Sequence, residues 1–361
     1  MKILHFIYDH INNPWVGGGG AVRCYEINKR LGSMGNQVTI VTGNYLGAKN
    51  YKEGNLEFLF VGKSINYYIS VFSYARYARK FLRENFKKYD IIIEDFAPWN
   101  PIFSYKLQTL KPIILQVHQK ESFNILKRYF ILGIPFFVFE NRYPKKFKNI
   151  TTVSKSSKEK FKINAKIISN GIDTNFLKEE VTYDGDYILF IGRIDFYHKG
   201  IDILLKAIEN FNDIQLIFVG SGKDEKKLIK IINNKKNINF YGYLSGVEKI
   251  NIIKNARFIV LPSRFEGQPV VTLEAAALGK PVIVSDIPEL KYVVENKFGI
   301  SFKSQDWPDL RVKIEYLWNN KELIKRLGEN GRRFAQNYTW DKISEEYKEY
   351  LLQIYKNFYS C

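Results

Sequence analysis

Short apolar runs alternate with longer helical patterns along the chain. Gly, Pro, Asn or Asp bound these runs, which is typical of strands that end in turns. In the first half of the chain, the predicted strands lie at residues 2–8, 37–43, 56–62, 90–95, 112–118 and 149–154. Helical patterns separate them, for example at 21–33 and 66–87. Continuous apolar strands need cover on both faces, so the pattern predicts a parallel sheet between two helical layers.

The alternation starts again after a polar, turn-rich segment at residues 168–186, which we interpret as a linker. The second set of predicted strands lies at residues 186–192, 214–220, 237–242, 257–262 and 280–285. The helical patterns of this half lie near residues 200–210, 223–233, 246–254 and 269–278. From Glu322 onward the chain is helical in pattern, and we expect Gly331 and residues 337–340 to divide it into two helices.

The two strand sets predict an α/β protein with two doubly wound domains that face each other across a cleft. Ligands of such sheets bind beyond the carboxyl ends of the strands. With two domains, both sets of strand ends could line one crevice. The candidate functional residues are therefore those that directly follow a predicted strand.

The composition fits this organisation, because 361 residues are enough for two domains. The formal net charge of +18 favours anionic partners, such as phosphates, acidic lipid surfaces or nucleic acid. The two cysteines, Cys24 and Cys361, form no disulfide framework, so we expect a reducing, cytoplasmic location. The apolar run at 129–139 is too short to span a bilayer.

Two acids, Glu266 and Glu274, flank a predicted helix start. Pro269 suits the first position of that helix, and Gly267 permits close approach of a ligand to the backbone. A helix N-terminus favours a phosphate, which two nearby carboxylates would repel. The acids could instead bind hydroxyls on either side of a diphosphate, which is the layout of a nucleotide sugar. The alternative is a favourable N-terminal acid together with a surface glutamate.

Two cations stand where they could face this helix start. Arg193 directly follows the first strand of the second set, and Lys199 lies at the start of the next helical pattern. Two cations at a strand's carboxyl end can clamp a diphosphate and stabilise charge on a leaving group. The alternative is an ordinary solvated surface, since the chain holds 55 basic residues.

A run of four glycines, 17–20, lies between the first strand and the first helix. Such a loop can bring backbone N–H groups to a phosphate or leave room for a sugar. Its spacing does not match the dinucleotide-binding fingerprint, and a mobile surface loop is the alternative. Arg23, in the first helical turn, is a candidate second anion contact.

His118 ends a predicted strand and is expected to face the cleft, where it could bind a sugar hydroxyl. A structural histidine is the alternative. The other histidines, His5, His10 and His198, show no metal-ligand spacing. The acid-x-acid segment 184–186 lies in the linker, before a strand, so we interpret it as a turn and expect no metal.

Five segments together resemble the family-4 retaining glycosyltransferases of the GT-B fold. In chain order they are GGGGAVR, SNGID, GRIDFYHKG, VGSGKDEKKL and EGQPVVTLE, whose two glutamates show the E-x7-E spacing. The resemblance extends over nearly the whole chain. It implies two Rossmann-like domains, 1–170 on the acceptor side and 171–340 on the donor side. It also implies that a C-terminal helix, 341–361, packs back on the first domain.

By resemblance, the protein would transfer a hexose from a nucleoside-diphosphate sugar, with a UDP-sugar favoured, and would retain the anomeric configuration. No metal or other cofactor is implied. Arg193 and Lys199 would hold the donor diphosphate, Glu266 and His118 would contact the transferred sugar, and Glu274 would bind the ribose hydroxyls. Backbone contacts to the donor are implied at Gly267, Gln268, Val270 and Val271, and Gly17 and Gly18 would face the donor phosphate or the acceptor.

Two segments bear on the acceptor. Residues 64–88 mix aromatic residues with Arg and Lys, and residues 125–148 are apolar with basic flanks. Either could rest on an anionic membrane, or could be a core helix with a solvated basic face. We therefore expect a glycan or lipid-linked glycan acceptor, with possible peripheral contact to an anionic membrane.

Two other functions are compatible with parts of the sequence. A nucleic-acid-binding protein would suit the charge, but the basic residues are scattered and no nucleic-acid-binding module is recognisable, so we expect no nucleic acid partner. A sugar phosphorylase could use the same fold. A ribose-binding Glu274 argues against that second alternative.

Overall fold

The computed structural model describes residues 1–122, 124–209, 211 and 213–360. Cys361 lies outside this range, and Cys24 is a buried free thiol. The chain forms two compact units. The first contains residues 1–170 together with the chain from Trp340 onward, and the second contains residues 171–339.

The first unit is built on an eight-stranded sheet with the order β3-β4-β2-β1-β5-β6-β7-β8. The pairing is parallel throughout except between β3 and β4. The strands are β1 (Lys2–Phe6), β2 (Gln37–Gly43), β3 (Tyr51–Glu53), β4 (Leu56–Val61), β5 (Ile91–Asp95), β6 (Ile113–Val117), β7 (Asn149–Thr152) and β8 (Lys166–Ile167). The helices that precede residue 170 are α1 (Gly19–Ser33), α2 (Tyr67–Asn85), α3 (Asn124–Tyr129), α4 (Ile134–Arg142) and α5 (Lys155–Phe161).

The second unit contains a six-stranded parallel sheet with the order β11-β10-β9-β12-β13-β14. Its strands are β9 (Tyr187–Ile191), β10 (Gln215–Val219), β11 (Ile238–Phe240), β12 (Ala256–Leu261), β13 (Val282–Ser285) and β14 (Gly299–Phe302). Its helices are α6 (Asn175–Lys178), α7 (Phe196–Lys199), α8 (Ile201–Ile208), α9 (Glu225–Ile232), α10 (Gly246–Lys254), α11 (Val270–Ala277), α12 (Lys291–Glu295), α13 (Trp307–Trp318) and α14 (Lys321–Ala335).

Alternate residues of the central strand β9 pack into two different apolar cores. Ile188 and Phe190 belong to one core, whereas Leu189 and Ile191 belong to the other. Successive side chains of a strand point to opposite faces, so the sheet is covered on both sides. The doubly wound α/β class predicted from the sequence is confirmed.

The last helix of the chain, α15 (Trp340–Tyr359), belongs to the first unit and packs against α1. Tyr347 and Leu351 of α15 are fully buried. At the edge of this contact, the Arg30 guanidinium lies 2.6 Å from an Asp341 carboxylate oxygen. The unit is therefore completed by a segment that is distant in sequence.

The prediction that Gly331 ends a helix was wrong, because α14 continues through it to Ala335. A Cβ atom at Gly331 would lie 3.1 Å from the Cα of Ala276 in α11. The glycine therefore permits close packing of two helices within the second unit. The helical tail is interrupted instead between Ala335 and Trp340, within or next to the predicted segment 337–340.

Arg23 is also not available as an anion contact. Its side chain is fully buried, and the guanidinium donates to the carbonyl oxygens of Ile168 and Ser169 and to the side chain of Asn170. It therefore links α1 to the chain segment that closes the first unit. Across the described residues, no helix combines the length and apolar composition needed to cross a bilayer.

Candidate nucleotide-sugar site

The predicted acid and cation positions of the second unit lie beyond two neighbouring strands. Arg193 follows β9, and the loop that contains Glu266 follows β12. The two strands pair in parallel within the same sheet. Since the carboxyl ends of parallel strands meet at one edge, the sequence-distant segments around Arg193 and Glu266 are brought to the same edge.

A short helix, α7, carries Lys199 to this edge. Its N-cap is Asp195, whose side chain accepts a hydrogen bond from the His198 N–H at 3.0 Å. Capping of this kind satisfies a backbone donor that the helix itself cannot. The helix ends at Gly200, which has a φ of +63°. A Cβ atom there would lie 2.0 Å from the carbonyl oxygen of Pro262, so glycine lets α7 approach the end of β12.

Lys199 and Glu266 form a buried ion pair. The Lys199 Nζ lies 2.5 Å from Glu266 Oε1, and the Ser263 hydroxyl donates to the same oxygen at 2.6 Å. Burial raises the pKa of Glu266, but the positive charge of Lys199 and the hydrogen bonds from Lys199 and Ser263 outweigh it and leave the pKa lowered. The Glu266 carboxylate is thus ionised at neutral pH, although the residue is 5% exposed.

His198 links α7 to the same loop. Its ring stacks on Phe265 with a centroid distance of 4.2 Å, and its Nε2 lies 2.9 Å from the Phe265 carbonyl oxygen. Burial, together with the nearby charges of Lys199 and Arg193, lowers the pKa of His198 to about 4. The imidazole is therefore neutral at pH 7. The Arg193 side chain is exposed and close enough to contribute to this shift.

Glu274, one turn into α11, is held by a second lysine. The Lys249 Nζ lies 2.6 Å from Glu274 Oε1. The residue is 6% exposed, and its other carboxylate oxygen, Oε2, is buried without a hydrogen-bond partner among the described residues. A buried carboxylate oxygen without a donor is costly, so this position is suited to a ligand hydroxyl.

The start of α11 lies between the two acids. Pro269 has the extended backbone of an N-cap, and the helix begins at Val270, one residue later than predicted. The predicted backbone contacts Gly267, Gln268, Val270 and Val271 are half-buried. The first N–H groups of a helix lack intrahelical acceptors, so this segment can donate to an anion.

In the first unit, His118 follows β6 and is held by a buried carboxylate. Its Nε2 lies 3.2 Å from Asp95 Oδ1, and the other oxygen of Asp95 lies 3.4 Å from His5 Nε2. Burial raises the pKa of Asp95, but the two histidines outweigh it and keep the pKa well below its usual range. Asp95 therefore fixes one ring nitrogen of His118 and leaves Nδ1 as the other polar atom of the ring.

A cluster of His5, Cys24 and Asp95 lies behind His118, with one potential metal-ligand atom of each within 4.8 Å of the others. The two ring nitrogens of His5 face different partners, Asp95 on one side and Cys24 with Asn28 on the other. The contacts of His5 therefore connect Cys24 and Asn28 at Nδ1 with Asp95 at Nε2.

Only Gly17 and Gly18 of the glycine run precede α1, because the helix begins at Gly19, two residues earlier than predicted. Gly18 is the N-cap of α1, with extended backbone angles. A Cβ atom at Gly17 would lie 3.0 Å from the Ile11 carbonyl oxygen, so the loop folds closely on itself there. Donor contacts for Gly17 and Gly18 stay a prediction.

Three partners of the predicted site residues were not identified from the sequence: Ser263 and Lys249 in the second unit, and Asp95 in the first. Asp95 ends β5 in the same way that His118 follows β6, so the strand-end rule could have found it. Lys249 lies in an ordinary basic helical pattern, which contains no signal of its contact with Glu274.

Two protein-family models match the chain, and their boundary lies near that of the two units. The model described as Glycosyltransferase Family 4 matches residues 17–176. The model described as Glycosyl transferases group 1 matches residues 172–334. Each unit therefore corresponds mainly to one of the two models.

Curated relatives support the same family. An uncharacterized glycosyltransferase of Methanocaldococcus jannaschii is 35% identical over 238 residues, which is 64% of this chain and 65% of the relative. Another from the same organism is 25% identical over 384 aligned residues, covering 96% of each chain. The N,N'-diacetylbacillosaminyl-diphospho-undecaprenol alpha-1,3-N-acetylgalactosaminyltransferase of Campylobacter jejuni is 28% identical over 173 residues, 47% of this chain and 45% of the relative. The chain thus spans less than two thirds of the length of the 35% identical Methanocaldococcus jannaschii relative and of the Campylobacter jejuni relative.

Solved structures show the same fold. Sucrose-phosphate synthase from Thermosynechococcus elongatus aligns with a TM-score of 0.82 at 16% identity, over 99% of this chain and 100% of that chain. Anabaena HepE in complex with UDP-glucose aligns with a TM-score of 0.72 at 16% identity, over 98% and 100% of the two chains. The fold is GT-B, as the sequence predicted. The two family models, which together match residues 17–334, show that the chain belongs to the family-4 glycosyltransferases.

We expect Gly200→Ala to destabilise the second unit more than Gly246→Ala. Both glycines have positive φ angles, but a Cβ atom at Gly246 would have open space. The control should lose about 1–2 kcal/mol from the left-handed backbone alone, and Gly200→Ala should lose more because of its clash with Pro262. Urea unfolding of both variants measures the difference. Equal losses would contradict the close approach of α7 to β12.

Replacing Lys199 should raise the pKa of Glu266. In Lys199→Met the opposing charge is gone, so burial dominates and the pKa rises above the ordinary value of about 4.3. Carbon-13 NMR titration of the carboxyl group measures this, with Lys223→Met as the control, since Lys223 is half exposed and pairs with Asp195.

The same shifts in the pKa of Glu266 determine how the stability loss in Lys199→Met depends on pH. The lowered pKa of Glu266 stabilises the wild type above the unfolded-state pKa, and this contribution disappears on acidification through the lower folded-state pKa. The stability loss in Lys199→Met should therefore be larger at pH 7 than at pH 4. A Glu266 pKa that stays lowered in the variant would show that Lys199 is not its main partner.

Proposed function

We propose that the protein is a retaining glycosyltransferase that moves a hexose from a nucleoside-diphosphate sugar, favoured as UDP-linked, to a glycan or lipid-linked glycan acceptor, without a metal. The observation that carries this proposal is the arrangement around α11. Two buried carboxylates flank the helix start, each held by one lysine, and one oxygen of Glu274 has no donor among the residues that the structure describes. The UDP-glucose complex of HepE supports a nucleotide-sugar donor through the shared fold.

In this proposal, the groups of the site together bind the ribose, the diphosphate and the sugar of the donor. Glu274 Oε2 accepts from a ribose hydroxyl, because this buried oxygen lacks a donor within the described part of the chain. The first N–H groups of α11 and the Arg193 guanidinium bind the diphosphate. Lys199 uses one ammonium N–H for Glu266 and has two others for a phosphate oxygen. Glu266, ionised and fixed by Lys199 and Ser263, accepts from a sugar hydroxyl.

The reaction needs a good leaving group more than a side-chain nucleophile. We propose that the acceptor oxygen bonds to the anomeric carbon as the bond from that carbon to the phosphate oxygen breaks. Attack occurs on the face from which the diphosphate leaves, and the acceptor proton passes to the departing phosphate oxygen. Arg193, Lys199 and the start of α11 stabilise the charge that develops there. His118, oriented by Asp95, has Nδ1 for a sugar hydroxyl.

The acceptor proposal draws on the relatives and on the surface of the first unit. The Campylobacter jejuni relative is named as acting on an undecaprenol-diphosphate-linked sugar. A lipid-linked acceptor would require the protein to work at a membrane, and peripheral contact with an anionic bilayer is part of this proposal.

A thermal-shift screen with UDP-, GDP- and ADP-sugars tests the donor. We expect a UDP-sugar to raise the melting temperature, since a ligand at 100 times its Kd adds about 2.7 kcal/mol of stability. Glu274→Gln should lose most of this shift, whereas Glu248→Gln, at an exposed glutamate beside Lys249, should keep it. The proposal fails if no nucleotide sugar stabilises the protein, or if Glu274→Gln responds like the wild type.

Arg193→Ala and Lys199→Ala should each reduce turnover by roughly 100-fold, since each removes charge stabilisation of the leaving group. The assay is slow hydrolysis of the donor, followed by release of the free nucleoside diphosphate. Lys223→Ala, which removes a more exposed cation from Asp195, is the matched control and should keep full activity. Unchanged turnover in both site variants, with their fold intact, would exclude the diphosphate clamp.

A further inference from the structure

We propose that the outer face of α2, together with residues 130–138, is the surface by which the protein docks on an anionic lipid bilayer. We call this the docking surface. The inference specifies the membrane contact of the proposed function, and it rests on that function because a lipid-linked acceptor would lie in the same bilayer. The inference goes beyond the proposed function because it names the side chains that enter the headgroup region.

The helix α2 is apolar on two sides. The buried residues of its inner side are Ser70, Val71, Tyr74, Ala75, Ala78 and Leu82. Its outer side exposes Tyr68, Ile69, Phe72 and Tyr77 by 66%, 38%, 54% and 46%. Residues four apart lie above one another on a helix, so Tyr68, Phe72 and Arg76 form one row. A helix with a solvated face normally carries polar residues there, and this one carries aromatic rings.

A second apolar group lies in the segment that directly precedes α4. Phe130, Ile131 and Leu132 are consecutive and are exposed by 78%, 80% and 79%. Phe136 of α4 contacts Phe72 of α2, with ring centroids 6.5 Å apart. The contact places α4, which follows the exposed residues 130–132 in the chain, against α2. Exposed apolar patches of this kind, rimmed by polar residues, are typical of protein or membrane contacts.

The charges of the docking surface favour a membrane as its occupant. Lys63, Arg76 and Lys80 line a shallow groove of about 620 Å³ together with the exposed rings of α2. Within α2 the single acidic residue is Glu84, which lies 3.8 Å from Lys80. Basic side chains next to apolar ones match anionic headgroups above an acyl layer.

Two other occupants fit the surface less well. A second copy of the chain, docked through the same face, would place its basic residues near those of the first. A membrane-spanning anchor is not available among the described helices. The geometry therefore points to a surface that lies on the bilayer, with Tyr68, Phe72 and Phe130 at headgroup depth.

Co-sedimentation with lipid vesicles tests the proposal. We expect the wild type to bind vesicles that contain phosphatidylglycerol, with weaker binding at high salt, and to bind pure phosphatidylcholine vesicles much less. The triple variant Phe130→Ser, Ile131→Ser, Leu132→Ser should lose at least tenfold in affinity. So should Arg76→Glu combined with Lys80→Glu. These side chains are exposed, so the fold should persist, which circular dichroism checks.

The matched control is Leu46→Ser combined with Leu110→Ser. Both leucines are in the first unit and are exposed by 84% and 57%, but they lie outside the docking surface. This variant should bind vesicles like the wild type. The proposal is overturned if the wild type ignores anionic vesicles at low salt, or if the triple variant binds as the control does. It is also overturned if the triple variant abolishes self-association instead of vesicle binding.

The thermal shift with nucleotide sugars tests the donor site separately from the docking surface. All docking-surface variants should keep the shift of the wild type. If vesicle binding follows the expected pattern but no nucleotide sugar stabilises the protein, docking stands and the glycosyltransferase proposal fails. If the shift is present and vesicle binding is absent, the docking surface is wrong and the donor site stands.

Discussion

The buried pair of Lys199 and Glu266 is the contact around which the site of the second unit is organised. A carboxylate that is 5% exposed would normally be driven toward its neutral form by desolvation. Here a lysine and a serine hydroxyl keep it ionised. If the carboxylate were left without the lysine, an uncompensated buried charge would remain, which typically costs about 3–5 kcal/mol. The ion pair therefore requires α7, the end of β12 and the start of α11 to keep fixed positions relative to one another.

Local sequence features hold α7 in the position that the ion pair requires. Asp195 caps α7, Gly200 lets the end of α7 approach Pro262, and His198 stacks on Phe265. None of these residues needs to touch a donor to matter for donor binding. They fix the lysine that in turn fixes the carboxylate. The same arrangement is repeated more simply at Glu274, where one lysine holds one oxygen and leaves the other for a ligand.

The sequence was sufficient for the fold class and for most of the central strands. These strands are short, continuous apolar runs with turn residues at both ends, so their signal is local. The strands β3, β8 and β14 were not predicted, because Tyr51–Glu53, Lys166–Ile167 and Gly299–Phe302 are short and partly polar. Gly331 was misinterpreted because a glycine in a helical pattern marks either an end or a close contact, and only the position of Ala276 distinguishes them.

The candidate site was predictable where position along a strand carries information. Arg193 and Glu266 follow neighbouring strands, and the rule for parallel sheets was enough to select them. Arg23 shows the limit of such reasoning, because its acceptors belong to residues 168–170, which are far away in sequence. Lys249 shows another limit, since a basic residue on an amphipathic helix has many possible partners. Contacts of this kind depend on the packed tertiary structure.

The role of Glu274 can be measured most directly by calorimetry with a pair of ligands. The nucleoside diphosphate that stabilises the protein and its 2′-deoxy analogue would be titrated into the wild type and into Glu274→Gln. If the buried oxygen accepts from the ribose, the wild type should prefer the ribonucleotide by roughly tenfold or more, the size of a hydrogen bond to a charged group. The variant should lose most of that preference. An undiminished preference in Glu274→Gln would contradict the account.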